Sequence, residues 1–257
     1  MSSPANNPKV LVETLDRVTT IVINRPQVRN ALDLEATLAL GRALRDFDND
    51  PWTRVAVLTG AGNAFCAGAD LKELATGAMY EAWAGRAGLL SRPLSKPVIA
   101  AVAGHACAGG LGLALWCDLR VVEKSAWFAV LSRRWGVPMS DGTTVRLPRL
   151  IGTSRALDML LTARSVGAEE ALLMGLANRV VDDGGSRAAA EDLARTLCEF
   201  PQIAMRSDRS SVYAQEGQRM AEALVLEEQL AVTAKAQEAM SGAARFAAGA
   251  GRHGTSP

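Results

Sequence analysis

The stretch KPVIAAVAGHACAGGLGLALWCDLRVVE, residues 96–123, decides the fold of this chain. It predicts a buried strand, a loop of small residues, an apolar helix and a second strand, in that order. The stretch RVAVLTGAGNAFCAGADLKEL, residues 54–74, follows the same plan as far as its helix. Because strands and helices alternate, we expect an α/β fold with helices packed against a sheet.

The remaining segments predict a short tail before this α/β core and a helical region after it. Two β-rich runs, residues 10–15 and 18–25, predict a hairpin, and a helix begins after Asp33, a residue type that caps helices. Beyond residue 150 the pattern is almost entirely helical, apart from one short strand at 177–181. We expect a flexible tail over residues 1–8, a core over 9–200, and a helical region with a mobile tail over 201–257.

The composition argues against several classes of function. Lys and Arg number 28 and Asp and Glu number 27, and the net charge of +1 argues against a nucleic-acid partner. No apolar run approaches the roughly 18 residues that a membrane span needs, and the first residues do not resemble a secretion signal. The four cysteines lack the spacing of metal ligands, so we expect a cytoplasmic protein with reduced thiols and no metal.

Two loops of small residues carry the main functional signal. Ala67, Gly68 and Ala69 follow one predicted strand, and Ala108 and Gly109 follow another. One backbone N–H group from each loop could converge on a single oxygen atom, and two such donors stabilise an oxygen that gains negative charge during a reaction. The alternative is that the glycines only make tight turns between strand and helix.

Five ordered motifs resemble the crotonase superfamily, the enoyl-CoA hydratase/isomerase group. The resemblance covers roughly residues 10–250 and implies a ClpP-like spiral of ββα units with a C-terminal helical region for trimerisation. It further implies an acyl-CoA thioester as substrate, no cofactor apart from the coenzyme A (CoA) of that substrate, and a homotrimer or a dimer of trimers. The motifs are INRPQVRNALD (23–33), GAGNAFCAGADLKEL (60–74), KPVIAAVAGHACAGGLGLALWCDLRVVE (96–123), RLPRLIG (146–152) and LLTARSVGAEEALLMGLANRVV (160–181).

The resemblance also implies site residues. It assigns the two N–H groups of the oxyanion hole to Ala67 and Gly109. Arg25, Arg29, Arg245 and Arg252 are candidates to meet the CoA phosphates, with a solvent-exposed surface role as the alternative. The resemblance places CoA along Val28, Arg29, Ala67, Gly68, Ala69, Asp70 and Leu71.

Both glutamates of the family's hydratases are missing at the matching positions. The first would stand three residues after Gly109, where this chain has Gly112, and the second four residues after Phe128, where it has Ser132. A positioned acid or base contributes roughly 10²- to 10⁴-fold to a rate. We therefore expect slow hydration of 2-enoyl-CoA, and we expect Gly112→Glu and Ser132→Glu together to raise the rate more than either change alone.

Asp141 is the candidate replacement for the missing carboxylates, with a helix N-cap as its alternative role. Ser132 could orient a water molecule, whereas we expect His105, Cys66 and Cys107 to serve packing. Three functions stay open at this point. They are a nominal enoyl-CoA hydratase, a CoA thioester isomerase or hydrolase that uses Asp141, and an acyl-CoA-binding protein without catalysis.

Overall fold

The computed structural model describes residues 7–77 and 88–250, and its larger sheet has six strands in the order β1-β2-β3-β4-β6-β9. The first two strands form the predicted antiparallel hairpin, and every other pair in this sheet is parallel. The central strands are buried apolar runs, which is typical of a sheet covered on both faces. The strands are β1 (Val10–Leu15), β2 (Val18–Ile23), β3 (Val55–Gly60), β4 (Val98–Val102), β6 (Leu119–Glu123) and β9 (Arg179–Val181).

A second, smaller sheet has three strands in the order β5-β7-β8. Its strands are β5 (His105–Cys107), β7 (Trp127–Ala129) and β8 (Val166–Gly167). The β4–β5 and β6–β7 pairs each give one strand to the larger sheet and one to the smaller sheet. After β3, a single parallel bridge from Cys66 to Ala106 takes the place of the second strand. The chain therefore advances as a spiral of ββα turns.

The helices fill the remaining chain, and they confirm the predicted α/β class with a helix-rich C-terminal part. Helix α1 begins where the sequence predicts, because the Asp33 carboxylate accepts a hydrogen bond from the Ala36 N–H at 2.8 Å. The helices are α1 (Leu34–Asn49), α2 (Leu71–Leu74), α3 (Gly109–Trp116), α4 (Thr143–Ile151), α5 (Thr153–Thr162), α6 (Ala168–Leu173), α7 (Ser186–Glu199), α8 (Gln202–Ala214), α9 (Met220–Ala234) and α10 (Met240–Ala247).

Helix α3 lies in the centre of the core. Its residues from Gly110 to Trp116 are all buried, so the helix packs on every side and has no polar face. The core around it includes the fully buried Phe65 and Phe128, which belong to the same cluster as Leu111 of the helix. This burial fixes the N-terminus of α3, and with it the second glycine loop, against the two sheets.

The chain divides into two compact units, residues 1–197 and 198–257. In the second unit, the Glu238 carboxylate accepts hydrogen bonds from the N–H groups of Ile203 and Ala204 and so caps the start of α8. Leu224, Val225 and Val232 on α9 are exposed, and the expected trimer stays a prediction. The predicted tails fall mostly on residues 1–6 and 251–257, outside the described part of the chain. No helix in the described ranges could cross a membrane.

Candidate active site

The two loops of small residues lie in direct contact. Cys66 donates its N–H to the His105 carbonyl at 3.1 Å, and Cys107 donates its N–H to the Cys66 carbonyl at 2.9 Å. A Cβ atom on Gly68 would stand only 2.7 Å from the Gly109 nitrogen, and Gly68 has a φ of +94°. Only glycine satisfies both conditions, so Gly68 is what lets the first loop close on the second.

A cavity of about 700 Å³ opens over these loops. It brings together the predicted residues Arg29, Ala67, Ala69, Leu71, Gly109, Ser132 and Asp141. Its wall is mostly apolar, with a small number of polar groups, which is typical of a small-molecule site. The described residues of the wall also include Leu74, His105, Cys107, Ala108, Trp127, Leu131, Trp135, Gly136, Val137, Pro138, Met139 and Ser140.

The structure favours a different residue for one of the two predicted oxyanion donors. The Ala67 N–H donates to the Arg29 carbonyl at 3.0 Å, so it is not free to bind a ligand. Two residues on, Ala69 also lines the cavity, and its N–H has no acceptor in the described part of the chain. The Gly109 N–H likewise has none, because it precedes the first hydrogen bond of α3. The geometry therefore favours Ala69 over Ala67 as the partner of Gly109.

Ala108 holds the turn between β5 and α3 in a strained conformation. Its φ is 48° and its ψ is −121°, a region that a residue with a Cβ rarely adopts. Its N–H is tied to the Ala129 carbonyl at 2.9 Å, so the neighbouring strand holds the turn in place. The surrounding structure thus holds the turn in this strained conformation and fixes the direction of the adjacent Gly109 N–H.

Ala108→Gly is expected to raise the free energy of unfolding by about 1 kcal/mol. Strain of this kind costs roughly 1–3 kcal/mol, and its removal stabilises the folded chain. Glycine also increases the conformational entropy of the unfolded chain, which offsets part of this stabilisation. Urea unfolding followed by circular dichroism measures the difference. A lower midpoint for the variant would show that Ala108 is not strained in solution.

Asp141 brings a carboxylate to the wall of the cavity. It lies in the loop before α4 and is 6% exposed. Its Oδ1 accepts the Thr143 N–H at 2.9 Å, and Arg146 donates to its main-chain oxygen at 3.1 Å. Burial raises the pKa of Asp141 above its ordinary value, and Thr143 and the charge of Arg146 offset part of this rise. Asp141 therefore combines its cap-like bond to Thr143 with a position on the cavity wall.

Gly112 lies against this carboxylate. A Cβ atom on Gly112 would stand 2.2 Å from Asp141 Oδ2, so the aspartate occupies the space that a side chain at position 112 would need. A glutamate at position 112 therefore requires the Asp141 carboxylate to move, and the expected gain of hydration from Gly112→Glu and Ser132→Glu stays a prediction. Ser132 is buried on the cavity wall, and its hydroxyl donates to the Met139 sulfur at 3.3 Å.

Arg25 is engaged inside the protein. Its guanidinium lies 3.0 Å from the Asp33 carboxylate and 3.1 Å from the Asp70 carboxylate, and it also donates to the Ala31 carbonyl. Arg25 does not belong to the described cavity wall and these partners give it a structural role, so its contact with the CoA phosphates stays a prediction. Asp70 is likewise used in this ion pair and as the cap of α2, where it accepts the Lys72 N–H.

The other predicted CoA contacts divide by position. Arg29 lies on the cavity wall in the left-handed region, with a φ of 54°. Val28 is half-buried and lies outside the described wall. Arg245 lies on α10 in the second unit, and Arg252 lies outside the described residues.

Asn30 is a site-building residue that the sequence analysis missed. It is fully buried with a φ of 56°. Its Oδ1 accepts the Arg25 N–H at 2.9 Å, and its Nδ2 donates to the carbonyls of Ala61 and Ala64 at 2.9 and 2.7 Å. Asn30 therefore joins the segment that carries Arg29 to the loop that leads into Ala67. Its place in INRPQVRNALD beside a proline turn was the available signal, since asparagine tolerates positive φ.

His105 and the neighbouring cysteines behave as packing residues. The His105 ring lies on Trp127 with 5.4 Å between ring centroids. Burial and the charge of Arg29 lower its pKa, so the ring is neutral at pH 7. Burial raises the pKa of Cys66 and of Cys107 to about 12, which keeps both thiols protonated and poorly nucleophilic. Within the described ranges, no group of three or more His, Cys, Asp or Glu residues could hold a metal ion.

Comparison with known proteins agrees with this architecture. The model of the enoyl-CoA hydratase/isomerase family matches residues 13–249. Enoyl-CoA hydratase EchA19 of Mycobacterium tuberculosis is 35% identical over 240 residues, which is 90% of each chain. Carnitinyl-CoA dehydratase of Salmonella typhi is 38% identical over 190 residues, which is 72% of each chain.

Solved structures agree as well. The crystal structure of enoyl-CoA hydratase EchA1 from Mycobacterium marinum is 33% identical and superimposes with a TM-score of 0.88, covering 94% of this chain and 96% of that chain. An enoyl-CoA hydratase from Mycobacterium tuberculosis H37Rv is 34% identical and also gives a TM-score of 0.88, with the same coverage. By sequence and by fold, this chain belongs to the enoyl-CoA hydratase/isomerase family and has the crotonase fold.

Proposed function

We propose that this chain is an enzyme that acts on acyl-CoA thioesters by stabilising a thioester enolate. The thioester oxygen accepts hydrogen bonds from the N–H groups of Ala69 and Gly109, which line one cavity and have no acceptor within the described residues. Two preorganised donors of this kind stabilise negative charge that develops on the oxygen. Arg29, on the cavity wall, is available to the CoA phosphates.

The observation that carries the proposal is the Asp141 carboxylate on the wall of this cavity, opposite Gly112. Among the described residues of the cavity wall, Asp141 is the one carboxylate, whereas the family's hydratases use two glutamates. Addition of water needs one group that takes a proton from the water and another that donates a proton to the substrate carbon. Movement of a double bond needs a single group that takes a proton and returns it. The proposed reaction is therefore isomerisation of an enoyl-CoA.

The steps balance with Asp141 alone. In a 3-enoyl-CoA the carboxylate takes a proton from C2, and the electron pair of that C–H bond moves into a dienolate whose negative charge rests on the thioester oxygen. Asp141, now neutral, returns the proton to C4, and the double bond shifts to C2–C3. Its raised pKa suits this role, because a buried carboxyl holds the proton between the two transfers.

Hydration of a 2-enoyl-CoA is the second candidate, and it is favoured by relatives named enoyl-CoA hydratase, such as EchA19. Ser132 supports it weakly, because its hydroxyl lies on the same cavity wall as Asp141. A serine near pH 7 is neither an effective acid nor an effective base unless a partner activates it. Hydration is therefore expected to be the slower reaction.

A side-by-side assay decides between the candidates. The protein is incubated with 3-hexenoyl-CoA and with 2-hexenoyl-CoA, and the products are separated by liquid chromatography. Isomerisation is expected to exceed hydration by at least about 10²-fold, because the loss of one positioned acid–base group costs that much or more. Hydration at an equal or higher rate would favour the second candidate. Binding of both thioesters without turnover would leave a protein that binds acyl-CoA only.

A further inference from the structure

We infer that Gly112 is a positioning residue for Asp141, because its missing side chain leaves the space in which the reacting carboxylate lies. The inference rests on the proposed function, since it assumes that Asp141 moves the proton. It assigns a task to a glycine that can take no part in chemistry itself. It also explains why one chain lacks the glutamate on α3 and carries an aspartate in the loop before α4.

The contact at Gly112 is made by one side chain. The three heavy atoms nearest to an added Cβ are Oδ2, Cγ and Oδ1 of Asp141, at 2.2, 2.4 and 3.0 Å. At Gly110, one half-turn away, an added Cβ would instead meet the main-chain oxygen of Cys66 at 2.0 Å. A side chain at 110 would therefore break the loop, whereas one at 112 would only push the end of an aspartate.

The rest of Asp141 cannot follow such a push. Arg146 holds its main-chain oxygen and also donates to the Leu90 carbonyl, so the loop is tied to its surroundings. The carboxylate alone must swing, and this movement weakens its bond with the Thr143 N–H at 2.9 Å. To reach ordinary van der Waals contact, Oδ2 must move by about 1 Å, and a misplacement of that size costs on the order of 10²-fold in rate.

The consequence is that positions 112 and 141 exclude each other as sources of a carboxylate. A side chain at 112 takes the volume that Asp141 needs, and Asp141 takes the volume that a glutamate at 112 would need. Two carboxylates forced into the same space would also repel each other and raise one another's pKa.

The experiment compares Gly112→Ala, Asp141→Asn and the double variant with the wild type, using 3-hexenoyl-CoA. Gly112→Ala is expected to lower kcat about 100-fold, the penalty for a 1 Å misplacement, while KM changes less than about threefold. In the Asp141→Asn background the same alanine is expected to cost less than about twofold in kcat, because no carboxylate remains to be displaced. Gly242→Ala is the matched control, a helical glycine with open space around it.

Two results would overturn the inference. One is a Gly112→Ala variant with kcat within twofold of wild type, and the other is an equal loss from the alanine with and without Asp141. Crystal structures of the wild type and Gly112→Ala give a readout that does not depend on turnover. The position of the Asp141 carboxylate is expected to differ by about 1 Å between the two structures. If the wild type turns over no acyl-CoA, the proposed function fails, and an unmoved carboxylate would separately refute the positioning role.

Discussion

Asp141→Asn is expected to lower kcat for isomerisation of 3-hexenoyl-CoA by about 10²- to 10⁴-fold, the contribution of one positioned acid–base group. Asparagine keeps the shape of the side chain and can still accept the Thr143 N–H, but it cannot take a proton from carbon. Binding of the CoA thioester is expected to persist, because the N–H groups of Ala69 and Gly109 are unchanged. The measurements are steady-state kinetics and isothermal calorimetry.

The same substitution is expected to stabilise the folded protein near pH 7. Because the pKa of Asp141 is raised by burial, the folded chain holds this proton to a higher pH than the unfolded chain does. The free energy of unfolding therefore falls as the pH rises through the interval between the ordinary and the raised pKa, and it stays lower above that interval. Asparagine does not ionise, so the variant lacks this loss. The stabilisation is expected to vanish by about pH 3, below the ordinary aspartate pKa.

The control for both effects is Asp16→Asn. Asp16 is exposed in the turn between β1 and β2 and has a φ of 54°, which asparagine tolerates. This variant is expected to match the wild type in kcat and in its melting temperature at pH 7. If Asp141→Asn keeps more than about a tenth of wild-type kcat, another group moves the proton and the proposed mechanism is wrong.

The fold was accessible from the sequence because local patterns and tertiary packing agree. The apolar run at 98–102, the small residues before Gly109 and the Asp33 cap each predict the element that the structure contains. The motifs extend over most of the chain, so the resemblance and these local patterns lead to the same α/β spiral.

The site was less accessible, for two physical reasons. Alternate N–H groups of an extended loop point in opposite directions, and only the hydrogen bond from Ala67 to Arg29 shows which of them is already engaged inside the protein. The contact between Gly112 and Asp141 joins residues 29 positions apart, and no spacing rule within one helix or loop predicts it. The sequence therefore identifies the two loops and the aspartate that line the cavity, but not the contact between Asp141 and Gly112.

The largest change of function is expected from the triple variant Gly112→Glu, Ser132→Glu and Asp141→Ala. Removal of the aspartate empties the space beside position 112, and the two glutamates then stand at the positions that the family's hydratases use. We expect hydration of 2-hexenoyl-CoA to rise by about 10²-fold or more over the wild type, as for one or two gained acid–base groups, and isomerisation to fall.

The gain is expected to depend on all three changes together. Gly112→Glu with Asp141 retained forces two carboxylates into one space, so this single variant is expected to be less active and less stable than wild type. With Asp141→Ala, the Thr143 N–H loses its acceptor, which lowers the free energy of unfolding by about 1–3 kcal/mol. Replacement of a glycine inside α3 raises it by up to about 1 kcal/mol. Circular dichroism must accompany the kinetics to show that each variant folds.

Comparison of the singles, the doubles and the triple variant makes the test decisive. The two glutamates would share one water molecule, so their effects on hydration are expected to be strongly non-additive, with each double that carries one glutamate well below the triple. A folded triple variant that binds 2-hexenoyl-CoA and gains no hydration would contradict the argument. It would mean that a side chain at position 112 does not reach the substrate even after Asp141 has been removed, and that the exclusion between the two positions has no bearing on which reaction the site performs.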